Sequence, residues 1–579
     1  MFDGEKLDFV GMHRFSLLFA EESSAIGQFV NASGGITSLR VKRIVDEDVA
    51  DENAEEKKKK ESEKPADESQ DDESQDDENK TEGPSSGADP SSKEEVNETE
   101  KKSEEPGKKC AHGGQMASFD VNFPLGSFGR SSAPETATST LIKNVTVWTC
   151  GERGVIENGA VLIDDGKIVG IYGGDDGLPD ADTVIDGSGK HLTPGIIDCH
   201  SHMATDSGIN ESGQAVTAEV RIGDMIDCDD MNIFRQLAGG VTCVNVLHGS
   251  ANPIGGQNQV IKLRWGSLGE QMKFAEAPAG IKFALGENVK RSRSPESTRY
   301  PRTRMGVEQI FHDRFRAAIE YREKQKRYEL NREGLPPRVD LELETIAEIV
   351  EGTRWIHCHS YRQDEILALL NLLDEYKITI GSLQHILEGY KVADAMKKHG
   401  AMASSFSDWW AYKFEVYDAI PYNGALMHNA GVIVSFNSDD RELARHLNHE
   451  AAKAVKYGGV PEEEALKFVT LNPAKQLRID QYTGSIEAGK HADLAIWSGP
   501  PLSPRSRCEQ TWVDGKKYFD IEQAAFEAEL FSTMRNQLVQ KILGSGKQMS
   551  SGGGDVDPAS LWPRHDEFCH GHDEHEHDQ

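Results

Sequence analysis

The run Leu192-Thr-Pro-Gly-Ile-Ile-Asp198-Cys-His200-Ser-His202-Met sets two imidazoles two residues apart behind a short apolar stretch. Side chains two apart on a strand point to the same face, so His200 and His202 can aim at one spot. An isolated pair of this kind usually marks two loop histidines, but three further clusters repeat the pattern. Trp355-Ile-His357-Cys-His359, then Ser382-Leu-Gln-His385 with Tyr390 close behind, then Val434-Ser-Phe-Asn-Ser-Asp439-Asp440 each put ligand-type side chains at the end of an apolar run. Neutral imidazoles and carboxylates are the donors that hold zinc and similar divalent ions. Such ions activate water for attack on a carbonyl.

Segments so far apart in sequence need a scaffold that gathers them. Apolar β-type runs start at Leu192, Val241, Val260, Ile281, Arg354, Ile378, Ala401 and Val432. Helical patterns lie between several of them: Val307 to Leu330, Leu341 to Val350, Asp364 to Tyr376 and Tyr390 to Lys398. Eight β-α units over about 290 residues predict an α/β fold, a (β/α)8 TIM barrel at residues 191–479. The C-terminal strand ends of such a barrel share one mouth, where all four clusters would meet. Short alternating runs before it (139–190) and after it (480–520) predict a composite β-sandwich.

Residues 1–44 carry too few apolar side chains for a core and read as a short N-terminal segment, the remnant of an upstream domain in a tandem protein. Residues 45–138, rich in Glu, Asp, Lys, Ser and Pro, predict a disordered acidic linker. Residues 521–579 predict a C-terminal helix and a His-rich acidic tail. Of the net charge of −33, 21 negative charges belong to residues 46–110 and 555–579, which leaves an ordinary body with no basic stripe. That balance argues against nucleic acid and anionic membranes as partners. No apolar run reaches the roughly 20 residues of a membrane span. Met1 is followed by no basic n-region, so a signal peptide is not expected and a cytoplasmic setting is. The eight cysteines lack CxxC pairs and predict neither a disulfide framework nor a zinc ribbon.

Taken together, these motifs resemble the amidohydrolase superfamily. Phe468-Val-Thr-Leu-Asn-Pro-Ala-Lys and Gly484-Ser-Ile-Glu-Ala-Gly-Lys-His-Ala-Asp-Leu-Ala are similar to its exit from the barrel. Gly280-Ile-Lys-Phe-Ala-Leu-Gly-Glu-Asn-Val-Lys-Arg and Thr303-Arg-Met-Gly resemble its imidazolonepropionase-like and prolidase-like branch. The resemblance spans residues 139–520. It implies two divalent ions, zinc by expectation, with His200, His202 and Asp439 on the first and His357 and His385 on the second. It also implies a bridging carboxylate from strand four. Glu287 at the strand end is the favoured candidate because it needs no modification, and a carboxylated Lys282 in mid-strand is the alternative. Asp439 would shuttle a proton, and His248, His359, Arg362 and Tyr390 would contact substrate.

The implied activity is hydrolysis of a carbon–nitrogen bond in a small cyclic amide, N-acyl or dipeptide-like molecule. The alternatives are a deaminase on the same barrel and a non-catalytic metal-binding module. Deaminases of the superfamily tend to carry Glu three residues past the fifth-strand histidine, where this chain has Ser360. Related barrels often pair, so a homo-oligomer is also expected.

Overall fold

The computed structural model describes three strands between Arg14 and Lys42, and residues 122–545 apart from 125–127, 131, 135–138, 175, 206–207, 291–297 and 410–411. The expectations for residues 45–121 and for the His-rich tail fall outside the described residues. The chain divides into two compact units, 1–113 and 114–579. In the first, β1 (Arg14–Glu21), β2 (Ser24–Val30) and β3 (Ile36–Lys42) form an antiparallel sheet in that order.

The second unit opens with β4 (Ser139–Trp148), β5 (Val155–Asp164), β6 (Lys167–Tyr172), β7 (Thr183–Asp186) and β8 (His191–Pro194). Then come β9 (Ile196–Ser201), β10 (Val241–Val246), β11 (Ile254–Gln257), β12 (Gln259–Lys262), β13 (Gly280–Ala284), β14 (Trp355–His359), β15 (Ser382–Gln384), β16 (Met402–Ser405) and β17 (Val434–Phe436). It closes with β18 (Leu494–Trp497), β19 (Cys508–Val513) and β20 (Lys516–Asp520). The outer segments combine in one eight-stranded sheet, ordered β20-β19-β18-β8-β4-β5-β6 with β7 beside β4.

The apolar run from Leu192 is divided between two sheets. β8 pairs antiparallel with β18, whereas β9 runs parallel to β10. Gly195 sits at the crossing, where a Cβ would lie 2.1 Å from Thr242 Oγ1. Both β9 and β10 are buried along their whole length, as parallel strands covered on both faces are.

From β13 to β17 the strands are parallel neighbours in sequence order, with Lys282 level with His357, and His357 level with Ser382. Residues 468–469 tie the two arrays. Val469 O accepts from Ile197 N–H of β9 and Phe468 O from Phe436 N–H of β17, both at 2.9 Å. The strand expected at Val260 departs from the regular β-α pattern. β12 is antiparallel to β10, and β11 is antiparallel to β13. A parallel return takes a dozen or more residues, usually a helix. Residues 247–258 are filled instead by loop and β11, so the described fold is α/β with mixed sheets.

The helices follow their sequence signals. Arg304–Asn331 starts behind Thr303, whose hydroxyl accepts from Gly306 N–H, and sets Phe311 5.3 Å from the Phe283 ring of β13. Leu341–Val350 is capped by Asp340, and Gln363–Glu375 and Ala393–His399 fill the next two connections. Ordered packing begins earlier than the expected end of the linker at 138. Phe128 stacks on Phe234 at 4.5 Å, and its carbonyl accepts from Trp265 Nε1–H at 2.7 Å. Aromatic side chains give this short stretch something to bury, which the acidic tract before it lacks. Among the described residues no helix is long and apolar enough to cross a membrane.

Candidate metal centre

The ends of β9, β15 and β17 bring His200, His202, His385 and Asp439 together, none more than 4% exposed. His200 Nε2 lies 3.3 Å from His202 Nε2 and 3.1 Å from His385 Nε2. Asp439 Oδ1 is 3.1 Å from His202 Nε2, and Oδ2 is 3.3 Å from His385 Nε2. His385 and Asp439 both hold left-handed backbone, φ 55 and 48. Residues other than glycine adopt that conformation at a cost, and it clusters where a side chain must be aimed.

The far nitrogens are engaged. His202 Nδ1 meets Leu247 O at 2.8 Å, and His200 Nδ1 meets Gln384 Oε1 at 3.2 Å. Acceptors at Nδ1 put the proton there and leave Nε2 as a lone pair facing inward. His385 Nδ1 contacts the Asn437 side-chain amide at 3.1 Å, and Asn437 in turn meets the Ser404 hydroxyl at 2.5 Å. An ion on His385 Nε2 requires Asn437 to present its carbonyl oxygen to Nδ1. Burial holds His200 well below the usual imidazole range, with His385, Lys282, His202 and His359 pushing the same way. The inward lone pairs of His200 and His202, 3.3 Å apart, repel one another unless a cation lies between them. Neutral imidazoles with a buried carboxylate are therefore a donor set that fits a divalent ion.

Of the two strand-four candidates, Lys282 is brought to the cluster. Lys282 is fully buried, with Nζ 3.3 Å from His200 Nε2 and 3.2 Å from His248 O. The favoured Glu287 lies past Gly286 in the short helix Glu287–Lys290, and its N–H donates to Glu415 Oε2. The long lysine stem carries its Nζ from mid-strand to the imidazoles.

The histidines of β14 are also redistributed. His357 Nδ1 is 2.8 Å from Ser382 Oγ, low on the neighbouring strand, and burial pushes this imidazole down to about 3. His359, level with Ala284 at the strand end, has its ring 5.2 Å from that of His385.

The remaining expected substrate contacts make polar contacts of their own. His248 Nε2 accepts from Glu211 N–H at 2.8 Å and Nδ1 meets Gly249 O at 2.9 Å, so its ring anchors the mouth loop. Burial lowers it to about 4. Arg362 pairs with Asp364 at 3.1 Å, and the Tyr390 hydroxyl donates to Asp418 O at 3.0 Å.

Other residues around the centre carried weaker signals. Asp198 accepts from Ser438 Oγ and from the Ser438 and His200 N–H groups, which ties β9 to the turn bearing Asp439. Burial pushes its carboxyl up to about 7 against those bonds. Phe406 lies flat on His385 at 4.8 Å, Trp409 on Phe406 at 4.2 Å, and Tyr361 edge-on to His359 at 4.4 Å. Gln384 and Asn437 sit inside the motifs that supplied the ligands. These aromatic residues belong to no spaced pattern that sequence would flag.

A second His/Asp group, His491, Asp493 and Asp514, already has its cation. Lys262 Nζ lies 2.7 Å from His491 Nδ1, 2.9 Å from Asp493 and 2.5 Å from Asp514. The cleft of about 330 Å³ lined by residues including Gln214, Tyr300, Asp313 and Glu342 shares no residue with the imidazole centre.

Residues 423–548 match the amidohydrolase family. An amidohydrolase of known structure from Thermotoga maritima is 32% identical, with a TM-score of 0.61, over 66% of this chain and 100% of that one. Amidohydrolase tasK of Hapsidospora irregularis is 29% identical over 432 residues, 66% of this chain and 43% of the relative, so the chain spans less than half of that protein. An imidazolonepropionase of Mesorhizobium japonicum is 24% identical over 379 residues, 59% of this chain and 87% of the relative.

Proposed function

This chain belongs to the amidohydrolase family, and on that premise we propose that it hydrolyses a carbon–nitrogen bond of a small cyclic amide, N-acyl or dipeptide-like substrate. The observation that carries the reading is the convergence of three imidazole Nε2 atoms on both oxygens of Asp439. In this reading β9, β10 and β12–β17 close into a barrel over residues 191–479, and the segments 139–190 and 480–520 supply a composite β-sandwich.

His200, His202 and Asp439 would hold one divalent ion, and His385 with His359 a second. This assignment moves the β14 ligand from His357 to His359. Lys282, carboxylated at Nζ by carbon dioxide with loss of a proton, would supply the further carboxylate ligand in place of Glu287. Zinc suits these donors. When bound, such ions supply a water acidic enough to ionise near pH 7 and polarise the scissile carbonyl. Asp439 accepts the water's proton at a carboxylate oxygen and returns it to the leaving nitrogen, as base and then acid. Gln384 and Leu247 O hold His200 and His202 in the ligating tautomer, and Asn437 would do the same for His385 with its carbonyl oxygen turned to Nδ1. Phe406, Trp409 and Tyr361 wall the site and exclude bulk water. Deamination fits less well, since position +3 from the β14 histidine is Ser360 counted from His357 and Arg362 counted from His359, and neither is Glu.

The test is metal content by plasma mass spectrometry together with turnover of a panel of N-acyl amino acids, cyclic amides and dipeptides. Bound divalent metal and turnover that both fall in His200→Ala support the proposal. A folded chain that takes up no ion at this centre overturns it.

A further inference from the structure

Beyond the barrel, helix Ile521–Gly544 leaves β20 at Asp520, whose carboxylate caps Glu522 and Gln523. None of its 24 residues is buried. Phe526, Leu530, Met534, Leu538, Ile542 and Leu543 are 45–67% exposed, the first five spaced every four residues. Its opening turns approach the rest of the unit, where Ala524 packs on the core and Glu527 lies near Arg130. The charges are segregated. Glu522, Glu527 and Glu529 occupy the first nine residues, and Arg535 and Lys541 the last ten.

We propose that this helix pairs antiparallel with the same helix of a second copy of the chain. A two-fold axis near Met534 sets Leu530 against the partner's Leu538 and Phe526 against the partner's Ile542. The same axis sets Glu527 level with the partner's Lys541. A parallel pair would instead put Glu beside Glu and Arg beside Arg, which repels. The helix macrodipole accounts for Glu522 in the first turn and Lys541 in the last but fades within one turn, so it leaves Glu527 unexplained.

The apolar area is sufficient. Half-exposed side chains of this size present roughly 600 Å² per copy, or about 1,200 Å² for the pair, at the lower edge of a standard stable interface. A stripe of about 600 Å² stands at the upper end of what a typical monomer exposes, where such patches are often functional.

Sedimentation of the full chain at micromolar concentration tests this. The wild-type chain should be dimeric, and Met534→Glu with Leu538→Glu should be monomeric with unchanged helix content. Glu527→Lys and Lys541→Glu, each alone, should weaken self-association at least tenfold. An equimolar mixture of those two variants should recover it, because each then offers the other opposite charges. A monomeric wild-type chain overturns the proposal, including the case in which the stripe is covered by another part of the same chain. A dimer indifferent to Met534→Glu with Leu538→Glu places the interface elsewhere and overturns it too.

Discussion

His385 Nε2 stands 3.3 Å from Asp439 Oδ2, and both residues hold left-handed backbone. Strain of this kind costs on the order of 1–3 kcal/mol per residue and persists where the site's geometry demands it. Asp439→Gly should therefore unfold at no lower urea concentration than the wild-type chain when both are metal-free, while losing all turnover. Asp439→Asn keeps the shape but not the basicity, and should lower kcat by about 10²–10⁴-fold. Undiminished turnover in Asp439→Asn would remove this carboxylate from the proton path.

The two histidines of β14 should separate experimentally. His357 bonds Ser382 low on the neighbouring strand, whereas His359 faces the His385 ring. His359→Ala should lower bound metal measurably and abolish turnover. His357→Ala should retain metal and instead cost about 1–3 kcal/mol in urea unfolding, the penalty for stranding a buried hydroxyl. The reverse pattern would restore His357 as the ligand.

Lys282 and Glu287 make a similar pair. Lys282 Nζ lies among the imidazoles, and the Glu287 backbone is tied to Glu415 outside them. Lys282→Ala should lose about one equivalent of metal and nearly all turnover, and Glu287→Ala should change neither. Metal loss confined to Glu287→Ala would reinstate the strand-end carboxylate.

Much of this was legible in sequence, for identifiable reasons. Hydrophobic runs and helical periods located the strands and helices because burial on both faces and one-sided burial leave different patterns. Alternation put His357 and His359 on one face, but a period of two fixes the face and not the height along the strand. The same ambiguity favoured Glu287 over Lys282. Position at the strand end was visible, while the reach of a lysine stem and the turn at Gly286 were not. The antiparallel setting of β12 depends on the short connection after β10, which sequence shows only as a glycine-rich loop.

Lys262 provides the last prediction, through pH. Its ammonium is fully buried against Asp493, Asp514 and His491, and Arg264 Nε also pairs with Asp514 at 2.7 Å. Burial alone would lower the Lys262 pKa, but Asp493 and Asp514 more than offset it and raise it above 10.5. Burial alone would raise Asp514, but Lys262 and Arg264 more than offset that and hold it below 3.8. The raised lysine contributes stability that is complete below pH 10.5 and lost as pH climbs through its folded value. The depressed carboxylate contributes stability that is complete above pH 3.8 and lost as pH falls through its folded value. Lys262→Met should therefore cost about 3–5 kcal/mol at pH 7, where it strands buried carboxylates, and progressively less in acid as they protonate. Urea unfolding of both chains between pH 3 and 9 measures this. A difference that stays constant across that range would mean that the lysine acts through packing against Phe274, whose ring lies 4.7 Å from Nζ, and not through charge.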